Sequence, residues 1–502
     1  MHLQLDSENK LPAYVQIRNQ IRERILGGDL PEGTQLPPER TLAQNLDVSR
    51  TTVVNAYGEL KAEGLVEGCV GRGTIVTTEA NRMGTRPIAW PAHFSKLGRR
   101  LAQHAQPAAL LTLRQLGAQP DVISLALGLP DPALLPLEQL RLAWETVVER
   151  MGAAAVGTCS AQGTPAVREV IAARMRKRGV AVGPEGMALV NGSQHGLDIL
   201  LRLLTEPGDT VLVEAPTYFG ALWSFLAHGV RLVGVPMDEA GMNVGQVEFM
   251  LARYHPRFIY TVPTYQNPTG ATMSLERRER LLALAQQYQT PIVEDDPFSD
   301  LYFDEPPPPS IKALDNHGHV LYLSTFSKNL APGLRVGWLA APEPLVKRAA
   351  LLNQVTELHS NATGQHLIVE FARRGWLDEQ IELARSTYRA RCQAMEAALR
   401  GRRLPGLRWA APQGGMFLWL RLPAQVNAHD LLVETGQQGV VFLPGHLMYP
   451  PDGPHNACRL NFSVPDCEAI EQGIATIAVA LKQLLRRPSR PSEEPVIAGP
   501  IV

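Results

Sequence analysis

Cysteine is scarce in this chain of 502 residues. The five present, Cys69, Cys159, Cys392, Cys458 and Cys467, are scattered and odd in number. No two form a C-x-x-C pair, so neither a zinc site nor a disulfide framework is expected, and no metal. Long apolar runs are missing too. None reaches the ~18 residues that a membrane span needs, and the first residues lack the apolar core of a signal peptide. The expectation is a cytoplasmic protein without membrane contact. Net charge is almost absent, with 48 Lys and Arg against 49 Asp and Glu. No global field therefore draws the chain to nucleic acid, and any such binding has to be local. There is no internal repeat and no extended low-complexity tract. What remains is length. A single core stops growing at about 250–300 residues, so more than one domain is expected.

The first 78 residues read as a small helical unit. Tyr14, Ile17, Ile21 and Ile25 recur at helical spacing, and Gly27-Gly28 ends the pattern. Pro37-Pro38-Glu39-Arg40-Thr41-Leu42-Ala43 opens a second short helix. Ser49 then caps a third that runs to about Glu63. On it Val53, Tyr57 and Leu60 face one side, while Arg50, Thr51, Thr52 and Asn55 face the other. Leu65-Val66-Glu67 and Thr74-Ile75-Val76 alternate like two small strands around a glycine-rich turn that carries Arg72. This pattern is a helix-turn-helix followed by a β-wing. Short hydrogen-bonding residues with an arginine suit base edges and phosphates of a major groove. Composition argues the other way, because eight basic residues face ten acidic ones in this segment. On charge alone a protein-binding adaptor stays open.

From Ala80 to Pro120 the charges are all basic: Arg82, Arg86, Lys96, Arg99, Arg100 and Arg114. A solvated tether is expected, with a helix from Phe94 to about Gln106. A segment that also tracks the DNA backbone through Arg99 and Arg100 is the alternative.

The rest of the chain alternates short apolar runs with helical patterns. Val320-Leu321-Tyr322-Leu323 reads as a buried parallel strand whose carboxyl end carries Ser327 and Lys328, with Arg335 beyond. Ligands of open α/β sheets gather at that edge. A desolvated lysine there can lose its proton and attack a carbonyl, and Arg335 can hold a phosphate. Together they suggest pyridoxal 5'-phosphate joined to Lys328. Four earlier runs end in complementary groups. Ala188-Leu189-Val190 leads into Gly192-Ser193-Gln194 at a helix start, an anion cradle. Val211-Leu212-Val213 leads to Tyr218, which can stack on a ring. Phe258 to Val262 leads to Asn267, an amide donor. Pro291-Ile292-Val293 leads to Glu294-Asp295-Asp296, and a carboxylate there can keep a pyridine nitrogen protonated.

Two resemblances follow from these motifs. Leu36-Pro37-Pro38-Glu39-Arg40-Thr41-Leu42-Ala43, Val48-Ser49-Arg50-Thr51-Thr52-Val53 and Gly71-Arg72-Gly73-Thr74 resemble the winged helix of the GntR family of bacterial regulators. The resemblance implies that Arg40, Arg50, Thr51, Thr52 and Arg72 contact DNA. Gly192-Ser193-Gln194, Tyr218, Asn267-Pro268-Thr269-Gly270, Asp295, Ser327-Lys328 and Arg335 resemble the aminotransferases of fold type I, near the kynurenine and α-aminoadipate subgroup. The fusion is similar to the MocR/GabR-type regulators. The implied fold is an α/β chain: an N-terminal winged helix-turn-helix (1–78), a basic linker (79–119), and an aspartate aminotransferase-like pair of large and small domains (120–485, the small one mainly 350–485). A flexible tail (486–502) follows.

The resemblance further implies that Lys328 is the internal aldimine lysine, Asp295 pairs with the pyridine nitrogen, Asn267 bonds the ring hydroxyl and Tyr218 stacks on the ring. Ser193, Gln194, Ser327 and Arg335 would hold the phosphate. Arg459, in Cys458-Arg459-Leu460-Asn461, would clamp an α-carboxylate, and Gly128 would lie beside it. Two positions depart from the pattern: Phe298 and Thr158 stand where the family usually has tyrosines. The function this implies is a homodimeric regulator that reads a double-stranded operator and senses an amino acid or amine by external aldimine formation. An active aminotransferase that carries a DNA-binding domain, and a sensor of the cofactor itself, are the alternatives.

Overall fold

A computed structural model describes residues 3, 5, 11–69, 73–77, 88, 90–103, 106–402, 404–450 and 453–486. The chain divides into two compact units, residues 1–99 and 100–502. Each is described by itself.

In the first unit, helices α1 (Ala13–Gly27), α2 (Glu39–Leu46) and α3 (Arg50–Ala62) precede a hairpin of β1 (Val66–Cys69) and β2 (Gly73–Val76). Ile17, Ile21 and Ile25 meet Leu42, Val53, Leu60, Val66 and Val76 in one core. Gly28 ends α1 at φ 86, a left-handed turn that glycine adopts without steric cost. The Ser49 hydroxyl caps α3 by accepting the Thr52 N–H at 3.2 Å. Tyr57 donates its hydroxyl to the Pro37 carbonyl at 2.8 Å and so fixes α3 against the lead-in to α2. The wing's Arg72 lies outside the described residues. Three short helices follow in the chain: α4 (Trp90–His93), α5 (Lys96–Gln103), which runs across the division at residues 99–100, and α6 (Gln106–Leu116), which belongs to the second unit. The segment expected to be a tether with one helix is therefore largely helical where it is described.

The second unit contains β3 (Ile123–Leu125), α7 (Leu137–Met151), α8 (Pro165–Lys177), β4 (Met187–Val190), α9 (Ser193–Leu204), β5 (Thr210–Ala215), α10 (Phe219–His228), β6 (Arg231–Asp238), β7 (Gly241–Met242), β8 (Ile259–Thr261), β9 (Ile292–Asp295), β10 (Val320–Thr325), β11 (Gly337–Ala340), β12 (Phe417–Arg421), β13 (Val440–Pro444) and β14 (Ala457–Asn461). Eight strands form the main sheet, ordered β4-β11-β10-β9-β8-β5-β6-β7. Neighbours from β10 through β9, β8 and β5 to β6 are parallel. Strand β11 is antiparallel to both β10 and β4, so β4 points the same way as β10. The five strands whose ends were singled out in the sequence therefore finish along one edge. Every residue of β4, β9 and β10 is buried, as expected of strands covered on both faces.

A second sheet has the order β12-β14-β13-β3. Its last member is the surprise. The run at Ile123 pairs parallel with β13, Ile123 opposite Val440 and Leu125 opposite Phe442. A piece from the start of the unit completes the small sheet. The chain then crosses back to the main sheet through residues 126–131. Near α10, the guanidinium of Arg100 donates to the carbonyls of Ala227 (3.4 Å) and His228 (2.9 Å), two acceptors exposed at a helix end. Arg100 is thus seated on protein through Nη1. Among the described residues no helix is long and apolar enough to cross a membrane, and no cluster of three His, Cys, Asp or Glu could hold a metal.

Candidate functional site

Lys328 sits in the turn that follows β10. Its Nζ donates to the Gly128 carbonyl at 2.7 Å. Burial, then the charge of Arg459, lower its pKa to about 8, with Asp295 opposing. A lysine so placed has an appreciable neutral fraction near physiological pH and can act as a nucleophilic amine.

Asp295 ends β9. It accepts the Tyr260 hydroxyl at 2.9 Å through Oδ2, while its buried Oδ1 has no hydrogen-bond partner. Burial raises its pKa to about 6, and the charge of Asp296 adds to the rise. The Ser193 hydroxyl lies near enough to favour the carboxylate's charge yet makes no hydrogen bond of good geometry. Tyr218 precedes α10. Burial, then the charge of Asp295, push its phenol up to about 12, so it stays neutral.

Asn267 lies in the loop after β8. A buried network builds that loop. Glu214 accepts from Thr261 (2.5 Å), the Val262 N–H (3.2 Å) and Gln266 (2.9 Å). Gln266 in turn accepts from the Thr269 N–H at 2.9 Å. Burial pushes the Glu214 carboxyl up to about 7. The loop therefore holds its shape by hydrogen bonds that do not involve Asn267.

Arg459 of β14 is 2 % exposed. It donates to Asn267 Oδ1 at 2.8 Å and to the Ala126 carbonyl at 2.5 Å, and its buried Nε has no partner. Its guanidinium lies 4.2 Å from the Phe417 ring centre and 5.7 Å from that of Phe219. Among the described residues no carboxylate pairs with it. Burial lowers its pKa to about 9. A buried cation that lacks an anion is costly and is a receptor for one. Gly128 packs on the same ring: a Cβ at that position would stand 2.5 Å from Phe417 Cζ.

Gly192 and Ser193 open α9. Gly192 has φ 87, and a Cβ on it would meet Arg335 Nη2 at 2.7 Å. Arg335 itself is exposed. Its Nη2 donates to the Asn191 carbonyl at 2.6 Å, and its Nη1 reaches Ser327 Oγ at 3.4 Å. A helix start and a guanidinium thus lie side by side, both favourable to an anion. The Gln194 side-chain Nε2 donates to Ser224 Oγ (2.6 Å) and the Gly220 carbonyl (3.1 Å), while its buried Oε1 has no partner. Ser327 Oγ accepts from Thr325 at 2.9 Å, a bond that leaves its own O–H able to donate.

Phe298 is buried with its ring edge-on to Phe417 at 5.6 Å, a dry contact where the family's usual tyrosine would bring a hydroxyl. Thr158 is exposed. Sequence reasoning missed Tyr260, Glu214, Phe417 and Arg178, described below. Only a buried acid or tyrosine inside an apolar run could have flagged the first two.

In the first unit, Arg40, Arg50 and Thr51 are exposed on or beside the N-terminal ends of α2 and α3. Arg50 is paired with Glu39 at 3.1 Å. The Thr52 hydroxyl is 2.8 Å from Ser49 Oγ and serves the helix cap. Of the residues expected to touch DNA, Arg40 and Thr51 stand out to solvent, and Arg50 must leave its partner.

The atoms left without partners suit a specific guest. Asp295 Oδ1 can receive a protonated ring nitrogen, Ser193 and the start of α9 a phosphate, and Lys328 an aldehyde. The residues present therefore fit pyridoxal phosphate.

The family model described as aminotransferase class I and II matches residues 120–477, and that of bacterial regulatory proteins, gntR family, matches residues 13–76. The chain is 30% identical over 479 residues to the HTH-type transcriptional regulator YisV of Bacillus subtilis, covering 95% of this chain and 98% of that one. Among solved structures it is similar to kynurenine aminotransferase of Pyrococcus horikoshii, in complex with PMP (35% identity, 81% of this chain and 100% of that one, TM-score 0.75). It is also similar to the α-aminoadipate aminotransferase LysN of Thermus thermophilus, complexed with N-(5'-phosphopyridoxyl)-L-leucine (33% identity, 79% and 99%, TM-score 0.73).

Proposed function

Because the chain belongs to the aminotransferase class I and II family and carries a gntR-family regulatory domain ahead of it, we propose that it is a cytoplasmic transcription regulator that holds pyridoxal phosphate and senses an amino acid. The carrying observation is that Lys328, Asp295 and Asn267 lie at or just beyond the ends of three neighbouring parallel strands, and that Asn267 accepts from a buried Arg459 with which no carboxylate pairs among the described residues. When bound, the cofactor supplies an electrophilic carbon and an electron sink. Lys328 anchors it as the neutral amine. Asp295, ionised above about pH 6, holds the ring nitrogen's proton. Ser193, Arg335 and the first N–H groups of α9 take its phosphate. Asn267, whose oxygen is given to Arg459, turns its amide N–H groups to an acceptor.

Arg459 decides between an amine and an amino acid. A plain amine would leave its guanidinium buried and unpaired, whereas an α-carboxylate supplies a bidentate partner. The effector class is therefore α-amino acids. Binding that favours one conformation of this unit would bias DNA binding by the first unit, through Arg40, Arg50, Thr51, Thr52 and Arg72. A homodimer accords with the exposed apolar side chains Val156, Leu351, Val355 and Leu358, which flank Thr158 and Ser360 in sequence.

An active aminotransferase is the second reading, favoured by the retained Lys328, Asp295, Asn267 and Arg459. The test is absorption spectroscopy of purified, cofactor-loaded protein against a panel of amino acids. A visible band that shifts with one amino acid, releases no keto acid and alters affinity for the duplex upstream of its own gene supports the regulator. Conversion of the band with stoichiometric keto acid supports the enzyme. Material that stays colourless with the cofactor overturns both.

A further inference from the structure

Two carboxylates stand side by side at the end of β9, and only Asp295 faces the lysine. Asp296 is 1 % exposed and fully engaged. It accepts from Arg178 Nη2 at 2.9 Å, the Tyr322 hydroxyl at 2.8 Å, the Ser299 hydroxyl at 2.6 Å and the Ser299 N–H at 3.1 Å. Arg178 caps the end of α8 and also touches Ser299. Its Nη1 lies 4.0 Å from Asp300, which accepts the side-chain amide of Asn329 at 3.0 Å. Asn329 is the residue after Lys328. Tyr322 belongs to β10, and the Ser324 hydroxyl donates to the Asp296 carbonyl at 2.6 Å. One guanidinium thus joins the residue after Asp295 to the residue after Lys328.

We infer that Arg178, through Asp296 and Asp300, is a positioning residue for the Asp295–Lys328 pair. This inference rests on the cofactor reading. Arg178 has two effects. It fixes the ends of β9 and β10 against each other. It also offsets the charge of Asp296, which would otherwise act at short range on Asp295 and on the lysine. The charged and titratable groups around Asp296 are Arg178, Arg278, Glu294, Asp295, Asp300, Tyr265 and Tyr322. Arg178 and Arg278 are the cations beside Asp296, Arg278 being largely committed to the carbonyls of Met273, Pro263 and Pro309, and Arg174 lies 3.5 Å from Asp300.

The experiment is a pH titration of the visible band in five cofactor-loaded proteins: unmodified, Arg178→Met, Arg178→Lys, Asp296→Asn, and the Arg178→Met, Asp296→Asn double variant. Removing the cation leaves a bare anion that favours a protonated lysine nitrogen, so in Arg178→Met the midpoint should rise by about one pH unit, a tenfold change in the proton equilibrium. Asp296→Asn removes the anion, and its midpoint should fall by a similar amount. The double variant should return close to the unmodified value, and Arg178→Lys should retain most of it. Midpoints that stay fixed, or that move the same way in both single variants, overturn the inference. No band in the unmodified protein would instead overturn the cofactor reading beneath it.

Discussion

The two ligand-facing regions of this chain are finished to different degrees. In the first unit the exposed face of α3 is satisfied by its own neighbours: Arg50 has Glu39, and Thr52 has Ser49. At the edge of the main sheet the buried groups are left open: Asp295 Oδ1, Ser193 Oγ and Arg459 Nε have no partner. The difference follows from water. An exposed ion pair is worth about 0–1 kcal/mol and can be exchanged for a phosphate at little cost. A buried polar group without a partner costs about 1–3 kcal/mol, and only a ligand can recover it. A surface that reads DNA can be complete in isolation. A buried pocket of this kind is complete only with its guest.

The largest expected effect attacks the open side of that contrast. Lys328→Ala should abolish the visible band. It should also remove the covalent share of the stabilisation that the cofactor gives, which for a ligand at a hundred times its Kd is about 2.7 kcal/mol in total. Absorption spectra and thermal melts with and without cofactor check this. Next, Arg459→Gln should keep the band but weaken its response to amino acids by about 2–4 kcal/mol, read as the titration midpoint. An unchanged midpoint would mean that the carboxylate is held elsewhere.

A third test uses proton linkage. The folded pKa of Asp295, about 6, lies above the ordinary aspartate value of 3.8, so the native apoprotein binds this proton more tightly than the unfolded chain. The stabilisation is present below about pH 4 and is lost as pH rises through about 6. Relative to Asp295→Asn, the apoprotein should therefore lose on the order of 2 kcal/mol of stability across that window. Denaturant melts at several pH values measure it, and parallel curves for the two proteins would contradict it. The smallest effect belongs to the closed side. Arg50→Ala should change stability by less than about 0.5 kcal/mol, since the pair it breaks is exposed. It should weaken DNA binding by about 1–3 kcal/mol in a fluorescence anisotropy titration. A large loss of stability would mean that the recognition face is not independent of its fold.

Much of this was legible in the residues. The strand ends could be read because each strand is a short apolar run that stops at polar residues, and the sheet's parallel order brings those stops together. The capped helices were legible for a similar reason, since Ser49 and Gly28 act within one turn. What was not legible depended on contacts distant in sequence. Three residues at Ile123 carry no mark of a partner more than three hundred residues later. Arg178 resembles any arginine at a helix end until α8 is placed beside β9. The contact of the Gln194 side chain with Ser224 was not legible either, because α10 supplies that partner. Arg100 was open to two readings because charge alone does not say whether a phosphate or a helix end receives it.

The crossing at residues 126–131 acts chiefly through its main chain. The Ala126 oxygen serves Arg459, the Gly128 oxygen serves Lys328 and the Leu129 oxygen serves Ser463. Every amino acid brings such an oxygen. Alanine scanning of Leu127 and Leu129 would leave these acceptors in place, and their side chains can drift without loss of those bonds. An alteration of the path itself, by a residue inserted or deleted there or by a side chain at Gly128 that would meet Phe417, would reach the lysine.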